Sequence, residues 1–194
     1  MTLKACLRVG ATVAVLSASA LTTEAVPVAF GGHYYEIVSS PGIDWLSAES
    51  AAEALSFLGA QGHLATITSL EEDQFLDALR GSTTDLWVGG FQSPGGTLGV
   101  GDNWTWVNGE GSFPGNNLGP VYANWLPGEP NDFYGAASEQ YLTIAHGGAF
   151  GWNDEGAINN VSGFVVEYNV PEPGTLSLIG LGLAGLAARR RRKA

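Results

Sequence analysis

From Asp85 onward the chain alternates short strand-like runs with long stretches rich in Gly, Pro and Asn. The runs are Leu86-Trp-Val88, Trp104-Thr-Trp-Val107, Tyr141-Leu-Thr-Ile144 and Phe164-Val-Val-Glu-Tyr168, each rich in aromatic or β-branched residues. Irregular segments of this length inside a compact domain are usually functional, and something internal must hold them in shape. Three short motifs within or beside them carry oxygen-bearing side chains: Trp125-Leu-Pro-Gly-Glu-Pro-Asn-Asp132, Ser138-Glu139-Gln140 and Trp152-Asn153-Asp154.

Together these motifs offer Glu129, Asn131, Glu139, Asn153 and Asp154, with no His or Cys among them. Such a set suits a hard cation. Ca²⁺ takes about 6–8 oxygens at roughly 2.3–2.6 Å, completed by carbonyls or water, whereas transition metals favour imidazole or thiolate. Pro130 lies between two of the proposed ligands, and an X–Pro bond can be cis at low cost. A cis bond would bring the Glu129 and Asn131 side chains to one point. A carboxylate accepts a hydroxyl proton and an amide donates to a hydroxyl lone pair. A sugar diol could therefore bind the ion and be read by both side chains.

The charge distribution agrees. The formal net charge is −11, but of the 8 Lys and Arg only Arg80 lies outside the first eight and last six residues. Of the 19 acids, Glu24 and Glu172 also fall in the end segments, which leaves seventeen acids against one Arg and a body near −16. That excludes nucleic acid as a partner, since phosphate binding needs a basic face, and favours a cation, which relieves self-repulsion. The single cysteine, Cys6, lies near the N-terminus, so the body contains no disulfide.

Residues 1–25 read as a secretory signal peptide: Lys4 and Arg8 precede the apolar run Val9-Gly-Ala-Thr-Val-Ala-Val-Leu16. The body, residues 32–169, opens with a strand over Gly32-His-Tyr-Tyr-Glu-Ile-Val38. Ser47 is expected to cap a helix with Ala48, Ala51, Leu55 and Leu58 on one face, ending near Gly59. A short strand-like link, Gly62-His-Leu-Ala-Thr-Ile67, follows. Ser69-Leu-Glu-Glu72 forms a capping box for a second helix with Phe75, Leu76 and Leu79 buried and Gly81 as its stop. Residues 170–194 combine Val170-Pro-Glu-Pro-Gly174, an apolar run from Thr175 to Ala188 and Arg189-Arg-Arg-Arg-Lys193. The apolar run is short for a bilayer span, and the basic cluster would stay cytoplasmic. No internal repeat is visible.

In order, Trp45, Gly62-His-Leu-Ala-Thr-Ile67, Ser-Leu-Glu-Glu72 with Phe75, Leu86-Trp-Val-Gly-Gly90, Trp125-x-x-Gly-Glu-Pro-Asn131, Trp152-Asn-Asp154 and Phe164-Val-Val-Glu-Tyr168 resemble a C-type lectin-like domain. The resemblance implies an α+β fold in which two helices flank small antiparallel sheets with a long irregular Ca²⁺-binding loop region. It implies Ca²⁺ as cofactor, held by Glu129, Asn131, Glu139, Asn153 and Asp154, the last offering its carbonyl as well. Glu129, Asn131, Glu139 and Asn153 would also bind the sugar. The Glu-Pro-Asn form implies mannose-type sugars, including glucose, N-acetylglucosamine and fucose, over galactose.

Three departures from that family matter. Its cysteines are absent, with Tyr141, Ala157, Val166 and an apolar residue of the first helix in their places. Each lost bridge costs about 2–5 kcal/mol, against which an ion at 100-fold over its Kd returns roughly 2.7 kcal/mol. The segment Phe133-Tyr-Gly-Ala-Ala-Ser138 is long, which affects the placement of Glu139. Finally, the acids of an auxiliary ion site are missing from residues 92–101, leaving Asp132 alone and implying one site. The tail resembles the PEP-CTERM sorting signal of Gram-negative bacteria. It implies an exosortase-type protease as partner, transient or permanent inner-membrane insertion, and delivery to the cell surface or an exopolysaccharide matrix.

A bland alternative for the Asn and Asp residues is a set of turns in which they bond the backbone; the clustered oxygens and net charge favour an ion. Trp104, Trp106, Trp125 and Trp152 are expected in the core, and Tyr134 beside the site as the sugar-stacking ring. His33, His63 and His146 are scattered and expected to be structural or exposed. Asn103-Trp-Thr105 and Asn160-Val-Ser162 match the glycosylation pattern only by accident in a bacterial chain. Carboxylates sharing a cation are held ionised, whereas a glycosidase acid needs a raised pKa, and no nucleophile elbow or Cys–His pair is present. A non-catalytic binder follows. The alternative is a lectin-like matrix scaffold for protein partners that never binds sugar.

Overall fold

The computed structural model describes residues 26–93, 99–157 and 160–170. The expected leader (1–25) and all but the first residue of the sorting segment (170–194) lie outside the described residues, as does the middle of the Gly-rich stretch before Trp104. Nine strands, β1 Val28–Phe30, β2 His33–Ser39, β3 Ser56–Phe57, β4 Ala60–Leu64, β5 Leu86–Gln92, β6 Trp104–Trp106, β7 Tyr141–Ile144, β8 Trp152–Glu155 and β9 Gly163–Tyr168, accompany two helices, α1 Trp45–Ala54 and α2 Leu70–Arg80. The strands join in one network ordered β1-β2-β9-β5-β7-β8, with β4 on β9 and β6 on β5. All pairings are antiparallel except β5 with β9, which pair in parallel through Leu86↔Gly163 and Trp87↔Phe164. The fold is α+β as expected, but that parallel contact fuses what the sequence suggested as separate antiparallel sheets into one mixed sheet. β1 pairs with β2 ahead of the expected first strand.

Helix α1 begins earlier than expected. Asp44, not Ser47, is the N-cap: its carboxylate accepts from Ser47 N (2.9 Å) and Ser47 Oγ (2.6 Å). The buried face is Trp45, Ala48 and Ala52. The helix stops at Ala54, so Leu55 is already extended and Leu58, at φ 49° and 65% exposed, sits in the β3–β4 turn. The apolar period runs on past the helix because Leu55, though extended, still packs against the second core cluster, while Leu58 falls there without being buried.

Helix α2 starts and stops where expected, and Ser69 accepts from Glu72 N at 3.2 Å. The return half of the capping box is not made. The Glu72 carboxylate instead accepts from Thr68 N (2.8 Å) and from Tyr35 Oη on β2 (2.5 Å), tying the helix start to the sheet. β8 was not foreseen as a strand, because Trp-Asn-Asp-Glu carries no β-branched residue.

The core is built on tryptophan. Trp104, Trp106, Trp125 and Trp152 are all buried in one cluster with Phe113 and Leu142, as expected. Trp45 and Trp87 anchor a second cluster with Phe164 and Tyr168. Their indole N–H groups pin the surrounding loops: Trp87 to Ile43 O (2.8 Å), Trp104 to Val100 O (3.0 Å) and Trp125 to Pro114 O (2.9 Å).

At two of the positions where the resemblance implies cysteines, the chain packs closely. Tyr141 stacks on Trp45 with ring centroids 4.6 Å apart. Ala52 and Val166 meet across Gly62, where a Cβ would lie 2.6 Å from Ala52 O and 2.7 Å from Val166 Cγ1. Gly62→Ala is therefore expected to destabilise the domain by about 1–3 kcal/mol through overpacking. A urea midpoint lowered at unchanged slope would show it, and an unchanged midpoint would refute the close packing.

Candidate functional site

The site is assembled where the long loop lies against β8. Trp125 and Trp152 form a parallel bridge, with Leu126 N donating to Trp152 O (2.9 Å) and Trp152 N to Asn124 O (2.8 Å). This lays residues 125–132 alongside Asn153 and Asp154. The Glu129–Pro130 bond is cis. Beyond it, Asn131 N and Asp132 N donate to the Asp154 carboxylate at 2.9–3.0 Å. Asp132 in turn accepts from Ala137 N (2.9 Å) and Glu139 N (3.1 Å), which folds the 133–138 segment back so that Glu139 Oε2 accepts from Phe133 N (2.6 Å). Despite the extra length of that segment, Glu139 reaches the site.

A pocket of about 410 Å³ results, lined by Glu129, Asn131, Glu139 and Asn153 and, beside them, Glu155, His146, Phe133 and Tyr134. Four of the five expected ligands thus face one space. Asp154 does not line it: its carboxylate is turned onto the 131–132 backbone, and its carbonyl accepts from Asn153 Nδ2 at 2.7 Å. Among the described residues, no three His, Cys, Asp or Glu side chains converge closely enough as they stand to hold a metal.

Among the described residues, no Lys or Arg supplies positive charge to the pocket. Arg80, the lone Lys or Arg among the described residues, is occupied by Asp77 and by the carbonyls of Thr83 and Gly148. Burial, then the neighbouring Asp154, Glu139 and Glu155 carboxylates, pushes the Glu129 carboxyl up to about 7. Burial likewise carries Glu155 up to about 7 and raises Glu139 against the pull of the Phe133 N–H. Glu129 Oε2 is buried and has no hydrogen-bond donor. Oxygen ligands, surplus negative charge and an unpartnered buried carboxylate oxygen fit a hard divalent cation. Glu129, Asn131, Glu139 and Asn153 line the pocket and would hold it, while the Asp154 carboxylate is engaged by the Asn131 and Asp132 N–H groups.

Sequence reasoning missed three pocket residues. Glu155 was legible in principle, since strand alternation puts it on the same side as Asn153. Phe133, 75% exposed, stands edge-to-face with Tyr134, 78% exposed, at 5.2 Å, so the expected stacking ring is one of a pair. His146 was read as scattered, but a turn at His146–Gly148 brings it to the pocket, its Nδ1 3.1 Å from Asp85 Oδ1. The other two histidines are structural: His33 bonds the buried Glu167, and His63 bonds Leu64 O at 2.9 Å.

The domain these elements define is a C-type lectin domain. The family profile described as "Lectin C-type domain" matches residues 49–165, and the chain belongs to that family. A second profile, the PEP-CTERM protein-sorting motif, matches residues 169–192. Halomucin of Haloquadratum walsbyi is 37% identical over 145 residues, which cover 72% of this chain and 1% of halomucin. Human C-type lectin domain family 10 member A is 30% identical over 118 residues, covering 60% of this chain and 31% of that receptor. The chain thus spans a small part of either relative.

Among solved structures, the C-type lectin CEL-I from Cucumaria echinata superposes with a TM-score of 0.59 at 18% identity, covering 77% of this chain and 99% of that one. The cow CD23 carbohydrate-recognition domain, determined in the presence of a GlcNAc2Man3 oligosaccharide, gives 0.56 at 25% identity, covering 75% and 95%. The protein is therefore lectin-like, of a fold family whose members are generally non-enzymatic, and it carries a protein-sorting motif of the PEP-CTERM type, which points to export and surface sorting. No helix among the described residues is long and apolar enough to cross a membrane; the apolar run 175–188 lies outside them.

The raised carboxyls set a pH dependence for the ion-free domain. Glu129 and Glu155 (about 7) and Asp73 (about 6) bind protons in the folded state that the unfolded chain, with carboxyls near ~4, has already lost. Stability therefore falls as pH rises through that window. In divalent-free buffer the melting temperature by calorimetry should be lower at pH about 8 than at about 5.5, and a flat or rising profile would contradict the clustering.

Proposed function

We propose that the exported domain binds one Ca²⁺ and, through it, the vicinal hydroxyls of mannose- or glucose-type sugars in a surface or matrix polysaccharide. The carrying observation is the pocket itself: three carboxylates and two amides beside the cis Glu129–Pro130 turn, with no Lys or Arg to balance them. Ca²⁺ supplies the charge that the pocket lacks and an electrophilic point for two sugar oxygens. Glu129 and Glu139 accept from the hydroxyl protons while Asn131 and Asn153 donate to their lone pairs. Glu155 is the third of those carboxylates. Phe133 and Tyr134 present apolar faces on which a sugar ring can stack. Related domains of this fold are described in the presence of an oligosaccharide, in complex with N-glycan, and as a Ca²⁺-dependent antifreeze protein, which supports both halves of the reading. In this reading residues 1–25 are the leader, 32–169 the binding domain, and 170–194 the sorting segment that gives transient membrane insertion.

A single sugar should bind weakly, in the millimolar range near −4 kcal/mol, and repeated epitopes on a polymer raise this by avidity. The turned-in Asp154 carboxylate favours a second reading, a lectin-like scaffold that contacts proteins without an ion. Retention on a mannose resin decides between them. Retention that requires Ca²⁺ and is lost with EDTA or free mannose supports the lectin; no Ca²⁺-dependent retention on any glycan supports the scaffold. Asn131→Asp removes one NH₂ donor and should weaken mannose retention about ten-fold, the worth of one such bond; unchanged retention would count against the proposed readout. Because ligating carboxylates must be deprotonated, calcium affinity measured by calorimetry should increase from pH about 5.5 to 8; an affinity that does not change would exclude those carboxylates as ligands.

A further inference from the structure

Asp73 is the residue from which the two halves of the pocket hang. It lies on α2, is 2% exposed and has no basic partner: Arg80, the one Lys or Arg among the described residues, is taken by Asp77. Its Oδ2 alone accepts three side-chain bonds, from Tyr122 Oη (2.8 Å), Asn124 Nδ2 (2.8 Å) and Trp152 Nε1 (3.1 Å). Tyr122 and Asn124 belong to the loop arm that continues into Glu129 and Asn131. Trp152 opens β8, whose next residue is Asn153. The two arms also bond each other directly at this level, through Leu126 N to Trp152 O and Trp152 N to Asn124 O.

We propose that Asp73 is a positioning residue of the pocket: one buried carboxylate oxygen fixes the loop arm carrying Glu129 and Asn131 in register with the strand carrying Asn153. Packing alone does not explain it. A buried charge is costly, and burial raises this carboxyl to about 6 against the pull of its three donors. An apolar side chain would fill the space more cheaply, but it could not gather donors from two separate segments onto one atom. Outer groups that orient ligating residues in this way typically change metal affinity by about 10–100-fold when removed.

The inference rests on the Ca²⁺ reading of the pocket for its functional consequence, but part of its test needs no ion. Hydrogen exchange in the full chain, without calcium, compares wild type with Asp73→Ala and Asp73→Asn. In D73A the amides of Leu126 and Trp152 should exchange about ten-fold faster or more, while those of the β2–β9 ladder keep their wild-type rates. D73N, which retains an accepting oxygen, should stay within about three-fold of wild type at the same amides. Calcium calorimetry should then show an affinity about ten-fold weaker in D73A and largely rescued in D73N.

Exchange that rises uniformly in D73A, or not at all, overturns the proposal, because Asp73 then acts on stability or on nothing. Calcium affinity unchanged in D73A while the wild type binds calcium also overturns it. If D73A does not fold, Tyr122→Phe and Asn124→Ala each remove one donor and should loosen the same two amides selectively; no selective change in either is a refutation. A wild type that binds no calcium, with selective loosening in D73A, leaves the positioning role intact and removes the Ca²⁺ reading instead.

Discussion

Crowding of acids that no Lys or Arg among the described residues neutralises is the constraint on which this site depends. Glu129, Glu139, Asp154 and Glu155 meet at one place in a body with a single Arg, and that Arg is bonded elsewhere. Backbone N–H groups of the loop absorb part of the charge: Asn131 and Asp132 donate to Asp154, Phe133 to Glu139, and Gly156 to Glu155. Glu129 receives none at Oε2, and its raised carboxyl records the deficit. The loop is thus folded around its own acids, each satisfied by the segment next to it, with one remainder that a divalent ion would complete.

The loop can hold this shape without disulfides because indoles do the pinning. Trp104, Trp125 and Trp152 each bury a large ring and send one N–H to a carbonyl or carboxylate: Trp104 to the adjoining Val100, Trp125 to Pro114 and Trp152 to Asp73 on α2. The aromatic stack of Tyr141 on Trp45 and the tight Ala52–Gly62–Val166 contact add close packing between distant segments. Packing of this kind is built by volume and shape, so it tolerates little change in size at Gly62.

Much of this could be read from the sequence, for identifiable reasons. Motifs whose side chains act locally were legible, as where Ser69 caps α2 and Gly81 ends it; the pocket shared by Glu129, Asn131, Glu139 and Asn153 was legible because their three motifs together resemble those of a lectin domain. Residues whose role depends on a distant partner were not. Asp44 displaced Ser47 as the cap of α1 because both are good capping residues and only tertiary packing chooses the turn on which the helix starts. Glu72 left its capping box for Tyr35, a contact between elements. His146 and Asp73 looked ordinary because nothing near them in sequence marks what they touch. Strand β8 was hidden because its residues were chosen for polar chemistry rather than strand propensity.

The chain joins a lectin domain to a sorting motif, and the proposed sugar-binding role turns on whether an ion closes the pocket. The most direct measurement is anomalous diffraction from crystals of the domain grown with calcium. The account predicts one peak within bonding distance of the side-chain oxygens of Glu129, Asn131, Glu139 and Asn153, with Asp154 swung in to join them. A pocket that holds only water under saturating calcium, with Asp154 still bonded to the 131–132 backbone, would contradict it.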